Sequence, residues 1–171
     1  VLFLPFTVYA SIFSSDSIVH PEVDQNGMVV SQHYLASSVG AQILEDGGNA
    51  YDASIAVAFA LAVVLPRAGN IGGGGFMVMY DEKTNKSYSI DYREKAPALA
   101  SKDMYLNDDG SVNKKRAREG ILSIGVPGTV YGMWEVHKKF GSLPWKKLLD
   151  PAIKLAEEGF IMSPFMVDAL N

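Results

Sequence analysis

The sequence predicts an α+β fold, and three observations carry that expectation. Between Tyr34 and Asp46 the apolar residues Leu35, Val39 and Ile43 recur every four positions, the spacing of one helical face. Residues 53–65 are apolar nearly all round, which predicts a helix covered on several sides. Phe76–Tyr80 and Ser87–Tyr92 then read as two strands joined by the polar segment from Asp81 to Lys86, an antiparallel hairpin.

Taken in order, residues 14–27 are polar and read as an extended lead-in, and Met28-Val29-Val30 is a short buried strand candidate. Gly47-Gly48 stops the first helix, since glycine tolerates the left-handed cap. Asn49 or Asp52 can cap the apolar helix, which ends before Pro66. After the hairpin, residues 97–120 are irregular and charged, and Ile121–Val126 is a third strand candidate. Thr129 can cap a helix running to Phe140, with Val130, Met133, Trp134 and His137 along one side and Gly141 as its stop. Asp150-Pro151 has the cap-then-proline pattern of a helix start, closed by Gly159, and Ser163-Pro164 opens one more helix. With too few strands to cover these helices, and a last residue inside a helical pattern, the sequence reads as part of a larger domain.

Between the apolar helix and the hairpin lies Pro66-Arg67-Ala68-Gly69-Asn70-Ile71-Gly72-Gly73-Gly74-Gly75. Four successive glycines can take positive φ, let backbone approach backbone closely, and present bare N–H groups. A flexible linker is the other reading of such a run. Linkers are polar on both sides, whereas this one is gripped by Leu65 and Ile71 before it and Phe76 to Met79 after it, so a packed loop is expected.

At 171 residues, with 48% hydrophobic residues and a mean hydropathy of +0.08, the chain can build a sizeable core. A net charge of −4 supplies no positive field for a phosphate backbone, so no nucleic-acid partner is expected. The basic cluster Lys114-Lys115-Arg116-Ala117-Arg118, beside Asp108-Asp109, reads as a solvated loop. There is no cysteine, which excludes disulfides, thiolate metal sites and a cysteine nucleophile within the chain. His20, His33 and His137 are widely separated, and no metal and no cofactor is expected.

Residues 1–13 are apolar, too few for a membrane-spanning helix, and interrupted by Pro5. With Val8-x-Ala10 as a small-residue cleavage pattern, they resemble the apolar part of a secretory signal entered partway. A disordered or core-packed N-terminal segment is the competing reading. Export predicts a mature chain from about residue 11, working in the periplasm or as a secreted protein, with residues 14–171 as the functional portion. Asn85-Lys86-Ser87 forms a glycosylation acceptor pattern in the hairpin turn, meaningful only in a eukaryotic secretory pathway.

No serine or threonine is accompanied by a histidine at a telling spacing, so spacing alone yields no catalytic machine and no catalytic residue is assigned in this chain. Arg93 is the strongest candidate for ligand contact. A guanidinium where a strand ends, after Tyr92 and beside Glu94, can hold a carboxylate through two parallel hydrogen bonds. A structural ion pair with Asp91, Glu94 or a distant acid is the alternative, and on sequence alone the weightier one.

Four blocks shift that balance. Gly47-Gly48-Asn49-Ala50-x-Asp52-Ala53, Gly69-Asn70-Ile71-Gly72-Gly73-Gly74-Gly75-Phe76-Met77, Asp91-Tyr92-Arg93-Glu94-x-Ala96-Pro97 and Gly125-x-Pro127-Gly128-Thr129-Val130-x-Gly132 resemble, in order, successive blocks of the large subunit of the gamma-glutamyltranspeptidases. Leu149-Asp150-Pro151-Ala152 and Ala156-Glu157-Glu158-Gly159-Phe160 are similar to that family as well. The likeness runs from about Met28 to the last residue. It implies part of an N-terminal nucleophile hydrolase αββα sandwich, incomplete in this chain. It further implies a precursor that cuts itself, whose small subunit then attacks the gamma-glutamyl amide of glutathione or other gamma-glutamyl compounds through its N-terminal threonine, activated by its own α-amine. The acyl group passes to water or to an amino acid. By the same resemblance Arg93 is the substrate-binding arginine that holds the α-carboxylate of the glutamyl group. The threonine and the oxyanion-stabilising groups belong to regions after Asn171, so this chain alone is expected to be inactive. A related glutaryl- or cephalosporin-type acylase and a non-catalytic anion-binding module are the alternatives.

Overall fold

The computed structural model describes residues 23–170. The expected leader at 1–13 and most of the polar lead-in lie outside the described residues. The elements run α1 (Tyr34–Glu45), α2 (Ala50–Val64), β1 (Phe76–Asp81), β2 (Lys86–Asp91), α3 (Lys114–Arg118), α4 (Thr129–Phe140), α5 (Trp145–Glu158) and α6 (Pro164–Leu170).

Helix α2 is the centre of the molecule. It packs against α1, α4 and α5, and it buries Asp52, Ala53, Ile55, Ala56, Phe59, Ala60 and Val64 on one half of its circumference, while Val57, Ala58 and Leu61 are partly covered and Ser54 is exposed. The expectation of cover on several sides holds only in part. The cap is reciprocal: the Asn49 carboxamide accepts from the N–H groups of Tyr51 and Asp52, while the Asp52 carboxylate accepts from the Asn49 N–H. Both expected capping residues therefore act together. Helix α1 ends as expected: Gly47 has φ +88°, and its N–H and that of Gly48 return to the carbonyls of Leu44 and Ile43.

The hairpin pairs Phe76 with Asp91 through to Asp81 with Lys86, antiparallel, with Asn85 at φ 52° in the turn. Its inner face, Met77, Met79, Tyr88 and Ile90, joins the apolar cluster of α2 and α4. Ile43, Ile55 and Leu148 lie in the same cluster at 2% exposure or less, each contributing about 1.5–3 kcal/mol by leaving water.

Five sequence expectations are corrected. Val29 forms no strand; its side chain fills the notch above Gly40, where a Cβ would meet it at 2.7 Å. Helix α5 starts at Trp145, so Pro151 lies inside it. The proline removes one intrahelical donor, but Leu148 and Ala152 on either side of it are buried and Trp145 stands edge-on to Phe59 of α2, so tertiary packing carries the helix through. Residues 121–123 form a single 3₁₀ turn, and of the third strand candidate only Val126 pairs, with Lys95. The basic cluster forms a short exposed helix, α3, capped by Asn113. Thr129 does not cap α4; Gly128 holds the cap position and the threonine hydroxyl turns elsewhere.

Candidate functional site

Arg93 follows β2 directly, on a short extended segment held from three directions. Before it, the Tyr92 N–H donates to the Gly75 carbonyl at 3.0 Å. At the residue itself, the backbone N–H donates to the Asp91 carboxylate at 3.0 Å. After it, Lys95 and Val126 exchange both backbone hydrogen bonds, at 3.1 and 2.8 Å. The stretch from 92 to 95 is thus gripped at both ends while the side chain between them is free. Among the described residues Arg93 forms no salt bridge. Its guanidinium carbon lies 5.8 Å from the centre of the Phe76 ring, an arrangement that orients the cation without neutralising it.

The ion-pair reading of Arg93 therefore finds no partner acid here. Asp91 is occupied by backbone, and Glu94 does not reach the guanidinium within salt-bridge distance. Arg93 is exposed, so nothing in this region of the chain covers the face on which a carboxylate would sit.

Beneath this segment the glycines do what they are needed for, though not in the way positive φ suggests. None of Gly72 to Gly75 has positive φ. A Cβ on Gly74 would stand 2.6 Å from the Arg93 Cα, and one on Gly75 would stand 3.0 Å from the Tyr92 ring. Likewise, a Cβ on Gly128 would collide with the Tyr92 carbonyl, and one on Gly132 with the Tyr92 ring. Gly74 and Gly128 meet the backbone of Tyr92-Arg93, and Gly75 and Gly132 meet the Tyr92 ring, at distances that only glycine permits. The run is a packed loop, and Gly72 alone of the four has open space around it.

The turn closes on α4 through polar contacts. The Gly73 carbonyl accepts from the N–H groups of Gly128 and Thr129, at 2.8 and 3.0 Å. The Asn70 carboxamide oxygen accepts from the Gly73 N–H at 2.8 Å and from the Thr129 hydroxyl at 2.8 Å. Burial raises the Tyr92 phenol above its ordinary range. Sequence reasoning placed Asn70, Thr129, Gly128 and Gly132 in motifs without seeing that they meet. The available signal was Gly128-x-x-x-Gly132 at the start of a helix, a smooth stripe that lets another chain approach closely.

Among the described residues Asp52 is the one fully buried carboxylate, at 0% exposure. Besides capping α2 it accepts from the Ser142 N–H and hydroxyl, and Asn49 donates to the Phe140 carbonyl, so the N-terminus of α2 is tied to the loop between α4 and α5. These contacts account for Asp52 as a structural anchor. No group of three or more His, Asp or Glu side chains able to hold a metal occurs among the described residues.

Known proteins share this fold and much of this sequence. The family model described as gamma-glutamyltranspeptidase matches residues 36–171. The glutathione hydrolase proenzyme of Pseudomonas aeruginosa is 49% identical over 160 residues, covering 94% of this chain and 28% of that protein. The crystal structure of Helicobacter pylori gamma-glutamyltranspeptidase superposes with a TM-score of 0.84 at 47% identity, over 88% of this chain and 43% of that one. A cephalosporin acylase from Bacillus halodurans is more distant, with a TM-score of 0.70 at 30% identity, over 92% of this chain and 30% of that one. The chain spans little more than a quarter of the length of the curated relatives it matches. The helices and hairpin are accordingly an incomplete part of an α+β N-terminal nucleophile hydrolase fold, and the chain belongs to the gamma-glutamyltranspeptidase family, as the N-terminal part of its large subunit.

Proposed function

We propose that this chain is the donor-recognising portion of a self-processing gamma-glutamyl transferase and hydrolase. In the whole precursor, self-cleavage frees an N-terminal threonine on the small subunit. Its hydroxyl, activated by its own α-amine, attacks the gamma-glutamyl amide of glutathione or a related compound, and water or an amino acid takes the acyl group. The role of this chain is to bind. Arg93 presents two parallel donors to the α-carboxylate of the glutamyl group and so fixes which carbonyl faces the nucleophile.

The observation that carries this reading is a guanidinium without an acid partner among the described residues, on backbone held at Tyr92 and Lys95. A cation so placed is fully available to an anionic ligand. The apolar stretch at 1–13 supports a periplasmic or secreted location.

The test is Arg93→Ala in the complete precursor. KM for a gamma-glutamyl donor should rise at least about thirtyfold, the loss expected when one partner of a charge-assisted bidentate pair is removed. A donor lacking the α-carboxylate should be nearly unaffected. Equal losses on both donors would refute the assignment. The likeness to the cephalosporin acylase supports a second reading, in which the same arginine holds the distal carboxylate of a glutaryl amide. A preference for glutaryl over gamma-glutamyl donors in the unmodified enzyme would favour it.

A further inference from the structure

We propose that Asn70 and Thr129 are positioning residues that set where Arg93 stands, and the inference rests on Arg93 being the carboxylate contact. The two side chains form one clasp. A single carboxamide oxygen on Asn70 accepts from the Gly73 N–H and from the Thr129 hydroxyl, both at 2.8 Å, across 59 positions of sequence. The clasp joins the glycine turn to the first residue of α4. Tyr92-Arg93 runs in the slot these elements form: a Cβ on Gly74 would stand 2.6 Å from the Arg93 Cα and from the Tyr92 carbonyl oxygen, and one on Gly128 would collide with that same carbonyl.

The geometry explains why a polar clasp is needed here. The contacts on the Tyr92-Arg93 backbone in this slot are made by Gly74 and Gly128, which have no side chain of their own with which to fix the spacing. The Gly128 and Thr129 N–H bonds to Gly73 give one line of attachment, about which the turn can still hinge. The Asn70–Thr129 bond supplies a second, and two non-collinear attachments remove the hinge. Thr129 is 8% exposed, so water competes weakly for its hydroxyl. Without the clasp the slot would loosen and the guanidinium would sample positions away from the carboxylate, weakening donor binding while leaving the threonine nucleophile of the small subunit untouched. That step-specific outcome separates positioning from general stability.

The experiment uses the complete precursor after self-cleavage, with Thr129→Val and Thr129→Ser compared against the unmodified enzyme. Thr129→Val keeps the shape and removes the donor; it should raise KM for a gamma-glutamyl donor about five- to tenfold, the worth of one neutral hydrogen bond. kcat should stay within about twofold, and KM for a donor without the α-carboxylate should not move. Thr129→Ser restores the hydroxyl and should restore KM. Combining Thr129→Val with Asn70→Ala should add little to Asn70→Ala alone, because the asparagine change already breaks the Thr129 bond together with the bond from the Gly73 N–H. An equal effect of Thr129→Val on both donors, a serine variant as impaired as valine, or additive losses would each overturn the proposal. Arg93→Ala, measured in parallel, separates the two readings: if it discriminates between donors and Thr129→Val does not, the clasp fails alone; if Arg93→Ala does not discriminate, the assignment of Arg93 fails. Amide exchange at Gly128 and Thr129 should quicken in Thr129→Val whatever Arg93 binds, and unchanged exchange would also count against the clasp.

Discussion

The helical layer of α1, α2 and α5 and the junction around Tyr92 are built on opposite rules. In the layer, elements are separated by side chains: Ile43, Ile55, Phe59, Val64 and Leu148 fill the space between helix axes. In the junction, elements touch through backbone at Gly74 and Gly128, and Gly75 and Gly132 make room for the Tyr92 ring. Apolar packing is forgiving, since neighbouring volumes can be exchanged at modest cost. Backbone contact is unforgiving, because carbonyls and Cα atoms cannot change rotamer. The same contrast separates stability from function here. The layer supplies the burial that holds the chain together, and the junction uses it to place one cation.

The comparison breaks most sharply at Gly128. Gly128→Ala drives a methyl into the Tyr92 carbonyl and should cost above about 3 kcal/mol, at or beyond the usual range for overpacking. Gly72→Ala, four residues from Phe76 in the same run, has nothing within 4 Å of its new carbon and should lie within about 0.5 kcal/mol of the unmodified protein. Matched thermal unfolding of the two would measure the difference; similar melting points would mean the junction can open to admit a methyl.

The anchor between α2 and the loop after α4 is the next effect in size. Asp52→Ala removes one half of the α2 capping box and leaves the Ser142 N–H without its acceptor, for a loss of about 2–3 kcal/mol in denaturant unfolding. Asp52→Asn retains an acceptor oxygen and should recover part of it. If asparagine and alanine are equally destabilising, the charge rather than the hydrogen bonds anchors the loop.

The smallest effect sharpens the account of Tyr92. Burial holds its phenol above the ordinary range, so the folded value exceeds the unfolded one. Stability from this group is complete below the unfolded value of about 10 and declines as pH rises through the folded value. An alkaline titration of melting temperature should show that decline, and Tyr92→Phe should flatten it. A decline of equal size in the phenylalanine variant would assign it to other groups.

Much of this was legible in the residues. The all-round apolarity of 53–65 predicted a surrounded helix, and α2 packs on α1, α4 and α5 but leaves Ser54 exposed and Leu61 only partly covered. Gly47-Gly48 predicted a left-handed stop, and Gly47 takes one. Phe76–Tyr80 and Ser87–Tyr92 predicted an antiparallel hairpin, and β1 and β2 form one, with Met77 and Met79 facing in. Pro151 misled because a local helix-start signal cannot report that Leu148 and Trp145 dock on α2. Val29 misled because an apolar triplet does not say whether its neighbour is a strand or a glycine notch.

Local preferences, periodicity and the order of the motifs were determined by the sequence itself, because each depends on residues within a few positions of one another. What only the tertiary structure decided was which distant groups meet. Asn70 finds Thr129, Asp52 finds Ser142, and Gly74 and Gly128 close on Tyr92-Arg93. Those pairings depend on how α4 is carried back across the hairpin by its packing on α2. No spacing rule encodes that return, because the geometry joining the partners is set by the buried cores of other elements.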